Sequence, residues 1–255
     1  MIAAAALACG VFVGFTLGLV GGGGSVLATP MLLYVVGMPQ AHMAIGTSAV
    51  AVSANALVNF AGHARAGTVR WASAGMFATA GVLGAVAGSS LGKMVDGQRL
   101  IGLFALLMLV VGGLMLRPRR PGALERVALS RGCVARTLAT GLGVGLLAGF
   151  FGIGGGFLIV PGLIFATGMP MINAVGTSLL AVGAFGLATA TNYAVSGLVD
   201  WPVACEFIAG GIVGGVAGMS AAMRLAGERQ LLSRLFAGLV FAVAFYVLWR
   251  SQRAA

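Results

Sequence analysis

The sequence predicts an all-α polytopic membrane protein with about eight transmembrane helices in two homologous halves. Of its 255 residues, 60% are hydrophobic and 8% are charged, and the mean hydropathy is +1.06. A soluble domain carries about 25% charged residues, because its surface must face water. The long uncharged stretches of this chain have the length that is needed to cross a bilayer. The same order of apolar segments occurs twice along the chain.

An internal duplication defines the two halves. Residues 18–39, GLVGGGGSVLATPMLLYVVGMP, align with residues 149–170, GFFGIGGGFLIVPGLIFATGMP. After a one-residue slip, the Gly-Thr-Ser of residues 46–48 matches that of residues 176–178. Internal repeats of this kind are common in secondary transporters. We therefore predict a first transmembrane repeat at 1–116, a basic linker at 117–133 and a second transmembrane repeat at 134–255.

Each half is predicted to contain five apolar segments, of which the second is short. This segment has about 11 residues, and at about 1.5 Å per residue it cannot cross a hydrocarbon core of about 30 Å. It follows a glycine run and ends at Gly-Met-Pro, which indicates half of a broken or re-entrant helix. If the short segments do not cross the membrane, the repeats are parallel, and if they cross, the repeats are inverted. The predicted segments are 2–20, 26–36, 41–62, 71–92 and 100–116 in the first half, and 134–151, 157–167, 172–195, 202–224 and 231–249 in the second.

Glycines four residues apart predict close contacts between helices. Small residues at this spacing let two helix backbones approach each other in lipid, where hydrophobicity does not drive association. The stripes are Gly10-Gly14-Gly18, Gly84-Gly88-Gly92, Gly141-Gly145-Gly149 and Gly210-Gly214-Gly218.

The charged residues predict the side of the linker and exclude nucleic acid as a partner. The net charge is +10, but the arginines cluster between apolar segments and form no basic patch on a nucleic-acid-binding fold. A basic connection between apolar spans is expected on the cytoplasmic side. The three cysteines lack the spacing of a zinc site or a disulfide framework, so we expect no metal and no cofactor. The arginines of the linker region are Arg117, Arg119, Arg120, Arg126, Arg131 and Arg136.

Two glycine runs, each ahead of a short segment that contains a proline, are candidate substrate-binding loops. Irregular backbone at membrane depth is tolerated only where it is buried in protein or lines a cavity. Consecutive glycines leave backbone N–H groups uncovered, and the next short helix directs the positive end of its dipole to the same place. Such a loop would bind an anion without a basic side chain, although a tight crossing where only glycine fits has the same sequence. The candidate residues are Gly21, Gly22, Gly23, Gly24 and Ser25, and Gly152, Gly154, Gly155 and Gly156.

A polar stripe on the third segment is a second candidate for the binding site. Ser48, Asn55, Asn59 and His63 share one helical face by their spacing. We expect His63 at the membrane interface, because it lies near the loop that contains Arg65. The polar side chains either line the substrate route or hydrogen-bond a neighbouring helix. The further candidates are Thr47, Thr177 and Ser178 of the two Gly-Thr-Ser motifs, and Thr189 and Asn192 of the equivalent helix, which has Tyr193 at the position of His63.

The middle of every predicted span lacks Asp, Glu, Lys and Arg. Proton-coupled pumps and cation carriers usually keep a carboxylate at membrane depth, so this pattern argues against a cation substrate. Two histidines without paired buried carboxylates also argue against an enzyme. The glycine runs lack the Gly-Lys-Ser/Thr of a nucleotide-binding loop.

The twin glycine runs with their prolines, the Gly-Met-Pro and the Gly-Thr-Ser resemble those of the sulfite exporter TauE/SafE family of permeases. The resemblance extends over nearly the whole chain and both halves. It implies a multi-pass protein of the bacterial inner membrane that exports sulfite, an organosulfonate or another small anion. An anion channel and a membrane scaffold without transport activity remain alternative interpretations of the same pattern.

Overall fold

The computed structural model describes residues 2–116, 131–152 and 156–224, with the single positions 238, 241, 244 and 245. Within these residues the regular structure is helical, which confirms the predicted all-α polytopic fold. The linker residues 117–130 and almost all of the predicted span at 231–249 lie outside the described residues.

The described helices follow the predicted segments closely. Six of them (α1, α3, α4, α6, α8 and α9) are long and apolar enough to cross a membrane. The first short segment is a 3₁₀ helix that continues into a helix of seven residues. The elements are α1 (Ile2–Val20), the 3₁₀ segment (Gly21–Leu27), α2 (Ala28–Tyr34), α3 (Ala41–Arg65), α4 (Trp71–Gly92), α5 (Gly97–Leu116), α6 (Arg131–Phe151), α7 (Gly156–Thr167), α8 (Met171–Val195) and α9 (Trp201–Arg224).

The first helix of each half packs against a helix of the other half. Helix α1 lies along α9, with Gly14 against the carbonyl of Gly211, and α6 lies along α4, with Gly145 against the carbonyl of Gly81. A β-carbon at Gly14 or Gly145 would overlap that carbonyl oxygen. The predicted glycine stripes therefore bring helix backbones together, and we call these two helix pairs the glycine seams.

Helices α3 and α8 are antiparallel at the centre of the molecule. Gly46, near the start of α3, lies against Tyr193 near the end of α8, while Gly176, near the start of α8, lies against His63 near the end of α3. Between these ends, the hydroxyl of Ser53 donates a hydrogen bond of 2.8 Å to the carbonyl of Gly183. Because α3 and α8 are equivalent helices that run in opposite directions, the two-fold axis that relates them is perpendicular to both. Such an axis lies in the plane of the membrane, and rotation about it exchanges the two sides. The two halves are therefore inverted repeats, which decides between the two predicted arrangements.

The short segments cross between the two ends of the helices. Gly21 lies against Ser178, near the start of α8, whereas Thr29 hydrogen-bonds Ser48, near the start of the antiparallel α3. In the second half, Gly152 lies against Ile45 near the start of α3, and α7 then leads to the start of α8. Of the two predicted alternatives, both short segments are thus crossing elements and not re-entrant ones.

The ends of the helices form two faces of the molecule, and these faces carry side chains of different charge. The linker face contains the ends of α3 and α9 and the beginnings of α4 and α6. The opposite face contains the ends of α4 and α8 and the beginnings of α3, α5 and α9. The charged side chains described are Arg65, Arg70, Arg136 and Arg224 on the linker face, and Lys93, Asp96, Arg99, Asp200 and Glu206 on the opposite face.

Candidate functional site

A glycine in the left-handed conformation ends the first helix of each half. Gly21 has φ of 71° and follows α1, and Gly152 has φ of 67° and follows α6. Side chains rarely adopt this backbone conformation, so glycine is the residue that ends the helix here without strain. A β-carbon would also press on Val175 and Ser178 at Gly21, and on Ile45 at Gly152. Both glycines are therefore required by the fold at the entrance to the crossing elements.

The two crossing elements pack against each other where the predicted loops continue. The 3₁₀ segment contacts α7, and its Ser25 is completely buried. Gly22, Gly23 and Gly24 belong to the 3₁₀ helix, so some of their N–H groups are used within it, unlike in the open loop that the sequence predicts. Gly156 begins α7, in which Pro161 leaves the carbonyl of Phe157 without its usual helical donor. Gly154 and Gly155 lie outside the described residues.

Buried hydroxyl groups surround these crossing elements. The Ser48 hydroxyl donates to the carbonyl of Ile45 at 2.8 Å, so the Thr29 hydroxyl is the donor in the 2.7 Å bond between Thr29 and Ser48. The Ser178 hydroxyl donates to the carbonyl of Val175 at 2.8 Å. The site therefore offers short neutral hydrogen-bonding groups next to irregular backbone.

The threonines of the Gly-Thr-Ser motifs have matching contacts in the two halves. The Thr47 hydroxyl accepts a hydrogen bond of 2.9 Å from the backbone N–H of Asp200, and the Thr177 hydroxyl accepts one of 3.0 Å from the backbone N–H of Arg70. Each threonine thus holds the loop that precedes α9 or α4. These contacts give the motif a role in the fold, and contact of the two threonines with substrate stays a prediction.

The polar stripe of α3 faces the seam between α1 and α9. Asn55 lies over Gly211 and Asn59 lies over Gly215, whereas on α8 Phe185 lies over Gly81 in the other seam. At these positions the two stripes therefore face opposite seams, whereas Ser48 and Ser178 at their beginnings both border the crossing elements. The amide nitrogen and oxygen of Asn55 are buried without a hydrogen-bond partner, whereas the amide nitrogen of Asn59 donates to the carbonyl of Asn55 at 2.9 Å.

Two predicted polar residues occupy unexpected surroundings. His63, expected at the membrane interface, is enclosed by protein, and its Nδ1 lies 3.1 Å from the Thr68 hydroxyl. Asn192 lies apart from the crossing elements, where its side-chain oxygen accepts a 2.6 Å hydrogen bond from the ammonium of Lys93.

Comparisons with known proteins agree with this architecture. The family model described as "Sulfite exporter TauE/SafE" matches residues 6–247. The chain belongs to this family. Two "Probable membrane transporter protein" sequences from strains of Xylella fastidiosa are 59% and 58% identical to it over 95% of the chain and 93% of their own lengths. "Probable membrane transporter protein YunE" of Bacillus subtilis is 26% identical over 82% of the chain and 84% of its length. No solved structure matches the chain.

The TauE/SafE membership identifies the chain as a multi-pass membrane transporter. Within the described residues, the fully buried polar side chains of this transporter are hydroxyls and amides, with the one imidazole of His63 and no carboxylate, ammonium or guanidinium. The described part of the interior therefore has no fixed negative charge that would attract a cation.

Sequence reasoning missed two residues near the candidate site. Thr29 lies between the glycine run and Pro30, and a search of that segment for hydroxyl side chains would have found it. Tyr193 was named only as the counterpart of His63, yet its hydroxyl is buried without a partner. Such an unpaired group is visible only when the neighbouring helices are in place.

Proposed function

We propose that this protein is a secondary permease that exports a small anion, such as sulfite or an organosulfonate. The observation that supports the proposal is the pair of crossing elements within inverted repeats, surrounded by neutral buried hydroxyls. Discontinuous helices of this kind form substrate sites near the middle of the membrane in other secondary transporters. The name of the family supports sulfite export as one member of this substrate class.

The proposed binding site lies at the contact between the 3₁₀ segment and α7. Backbone N–H groups at Gly21–Ser25 and Gly152–Gly156 would donate hydrogen bonds to the oxygens of the anion. The hydroxyls of Ser48 and Ser178 would join them by turning their protons from the carbonyls of Ile45 and Val175 to the anion. A tetrahedral or pyramidal oxyanion has several acceptor oxygens and suits donors that come from both halves. Asn55, whose amide has no partner, is the member of the polar stripe that we assign to the route.

The proposed location is the bacterial inner membrane, with the linker at 117–133 in the cytoplasm. The described side chains of the linker face comprise four arginines and no carboxylate, whereas carboxylates outnumber cations on the opposite face. Cytoplasmic connections carry an excess of Lys and Arg. An anion that leaves a negative-inside cell gains about 2.3 kcal/mol per charge per 100 mV, so export needs no buried carboxylate for proton coupling.

The test is flux of labelled sulfite, sulfoacetate, sulfate and acetate in proteoliposomes, with and without an imposed membrane potential. We expect saturable flux of a sulfur oxyanion that responds to the potential. Single-channel currents would instead establish an anion channel. Protein that is shown to be folded and moves none of these anions would contradict the proposal and favour a scaffold.

Glycine variants link that flux to the proposed site. Gly23→Leu and Gly154→Leu should abolish transport while the protein still inserts into the membrane, because a bulky side chain would fill the site. Gly143→Leu is the matched control, since a β-carbon there meets nothing within 4 Å. Normal flux in both site variants would remove the glycine loops from the binding site.

A further inference from the structure

A cluster of polar side chains surrounds Lys93 on the opposite face. The Lys93 ammonium donates hydrogen bonds to the carbonyl of Asn192 at 3.2 Å, to its side-chain oxygen at 2.6 Å and to the Ser196 hydroxyl at 2.8 Å. The Asn192 amide nitrogen donates to the hydroxyls of Ser89 at 2.6 Å and Ser90 at 3.1 Å. We call these five residues the Lys93 cluster.

The charge of this cluster is held in place but is not neutralised. Each hydrogen-bond acceptor of Lys93 is a carbonyl, amide or hydroxyl oxygen, and no described carboxylate bonds to it. Lysine is otherwise a flexible side chain, and three bonds fix its ammonium in one position. The exposed hydroxyls of Ser90 and Ser196 donate to the carbonyls of Val86 and Asn192 at 3.0 and 3.1 Å. The fixed cation beside them attracts an oxyanion, which would accept hydrogen bonds from these hydroxyls once they turn toward it.

Two buried polar groups next to the cluster have no partner. The Lys93 ammonium lies 5.9 Å from the centre of the Tyr193 ring, and the rings of Tyr193 and His42 are 6.3 Å apart. The hydroxyl of Tyr193 and the Nδ1 of His42 are both buried without a hydrogen-bond partner. Buried polar groups in native proteins are almost always satisfied, so the Tyr193 hydroxyl, which can donate, indicates a polar occupant at this place. The Nε2 of His42 donates to the carbonyl of Val95 at 3.1 Å, so its Nδ1 is an acceptor and indicates a water molecule or another donor beside it.

The equivalent place in the other half keeps one of these five residues, since Ser220 is the counterpart of Ser90. The repeat alignment puts Met223 at the position of Lys93, Gly62 at that of Asn192 and Ala66 at that of Ser196. The sulfur of Met219, the counterpart of Ser89, packs on Gly62. A lysine at the ends of α4 and α8 would stabilise both helix dipoles, but the same corner of the fold forms with Met223 in that place. The fold therefore does not require the Lys93 cluster.

We propose that the Lys93 cluster, with the Tyr193 hydroxyl, binds a small oxyanion at the outer mouth of the transport route. The cluster adjoins the second glycine loop, because Tyr193 packs on Gly46 and the neighbouring Ile45 packs on Gly152. The inference rests on the proposed function for its substrate, a sulfite or sulfonate anion. The phosphate of a lipid headgroup has the same chemistry, so the experiment must separate the two sources.

The first test is sulfite binding, measured as thermal stabilisation of the protein in a detergent without phosphate. Sodium sulfite and methanesulfonate are titrated against sodium chloride at equal ionic strength. We expect Lys93→Met to raise the half-saturating concentration of sulfite about tenfold, which is about 1.4 kcal/mol, and Lys93→Arg to retain most of the binding. Methionine is the residue of the other half at this place, so the variant should fold. Arg99→Met removes a cation from the same face and should bind as the wild type does.

Several outcomes would decide the proposal. Equal sulfite binding by wild type and Lys93→Met would overturn it, even if the wild type transports sulfite. Lys93-dependent stabilisation by phosphatidylglycerol, with no effect of sulfite, would assign the cluster to a lipid headgroup and overturn the substrate site. Lys93-dependent sulfite binding by a protein without flux would keep this site and reject the proposed permease.

Discussion

The two glycine seams are built alike, but different side chains lie over them. Over the seam between α4 and α6, Phe185 covers Gly81 and stacks on Phe77, with ring centres 6.1 Å apart. Over the seam between α1 and α9, the equivalent Asn55 covers Gly211, and its amide has no partner. The backbone contact is the same in both halves, whereas the residue on top of it is aromatic in one and polar in the other.

This difference shows which of the two residues stabilises the packing over its seam. A buried aromatic ring stabilises the seam through its large apolar surface. A buried amide without a partner costs about 1–3 kcal/mol relative to one that is paired. Since Phe185 shows that an apolar residue fits the equivalent position, stability does not explain Asn55. We therefore assign Asn55 to the route and Phe185 to the packing. Four predictions test this comparison of the two halves, and the first and the last of them test the assignment itself.

The largest effect is expected for Phe185→Ala. Removal of a completely buried phenyl ring should lower the free energy of unfolding by about 3–5 kcal/mol. Equilibrium unfolding in mixed detergent micelles measures this change. Asn55→Ala is the matched variant in the other seam and should cost far less. Equal losses in the two variants would show that both positions serve packing alone.

The second largest loss of stability is expected for alanine substitutions at the glycines of the seams. Gly145→Ala puts a methyl group against the carbonyl of Gly81, and overpacking of this kind costs about 1–3 kcal/mol. Gly14→Ala, against the carbonyl of Gly211, should lose a similar amount because the seams are equivalent. Gly143→Ala on the same helix as Gly145 meets no neighbour and is the control. A loss in Gly143→Ala as large as that in Gly145→Ala would contradict the seam model.

A smaller loss of stability is expected at the two Gly-Thr-Ser motifs, and it should be the same for both. Thr47→Val and Thr177→Val each remove the acceptor of one backbone N–H, and the loss of one such bond costs about 1 kcal/mol. Unfolding in micelles should give the same value for both variants, and sulfite flux per folded molecule should stay near that of the wild type. Flux that falls tenfold with unchanged stability would return these threonines to the substrate site.

The smallest change in stability is expected for Asn55→Leu. Replacement of an unpaired buried amide by an apolar group of similar size should leave the free energy of unfolding within about 0.5 kcal/mol of the wild type or raise it. Sulfite flux should nevertheless fall, because the route loses its amide. Asn55→Leu should thus lose flux and keep its stability, whereas Phe185→Ala should lose stability. Unchanged flux would remove Asn55 from the proposed route.

Much of the fold could be predicted from residue patterns. The alignment of residues 18–39 with 149–170 identified the duplication, and the glycine stripes identified the contacting helix surfaces. Spacing of this kind is local, and it follows directly from helical geometry. The stripes could not indicate their partners, however, because Gly14 and Gly145 have the same surroundings in the sequence. That each seam joins the two halves became visible only in the packed structure.

The candidate site was predicted less completely. Gly21–Ser25 lie in the first crossing element and Ser48 borders it. Thr47 and Thr177 hold loops, and Asn192 belongs to the Lys93 cluster. Hydroxyl and amide groups form the same hydrogen bonds with a substrate as with a backbone N–H. Their residue type therefore cannot identify the partner, which depends on the helix that lies opposite.

The sequence by itself determined that this chain is a duplicated, helical membrane protein, because composition and periodicity report directly on burial in lipid. Only the tertiary structure decided that the repeats are inverted. Whether the repeats are parallel or inverted depends on whether the short segment of Gly21–Leu27 and α2 crosses the molecule. A segment of this length can either cross or turn back. The contacts of Gly21 with Ser178 and of Thr29 with Ser48 at opposite ends of the antiparallel helices establish the crossing. Contacts between residues far apart in the chain carry that information, and local spacing does not.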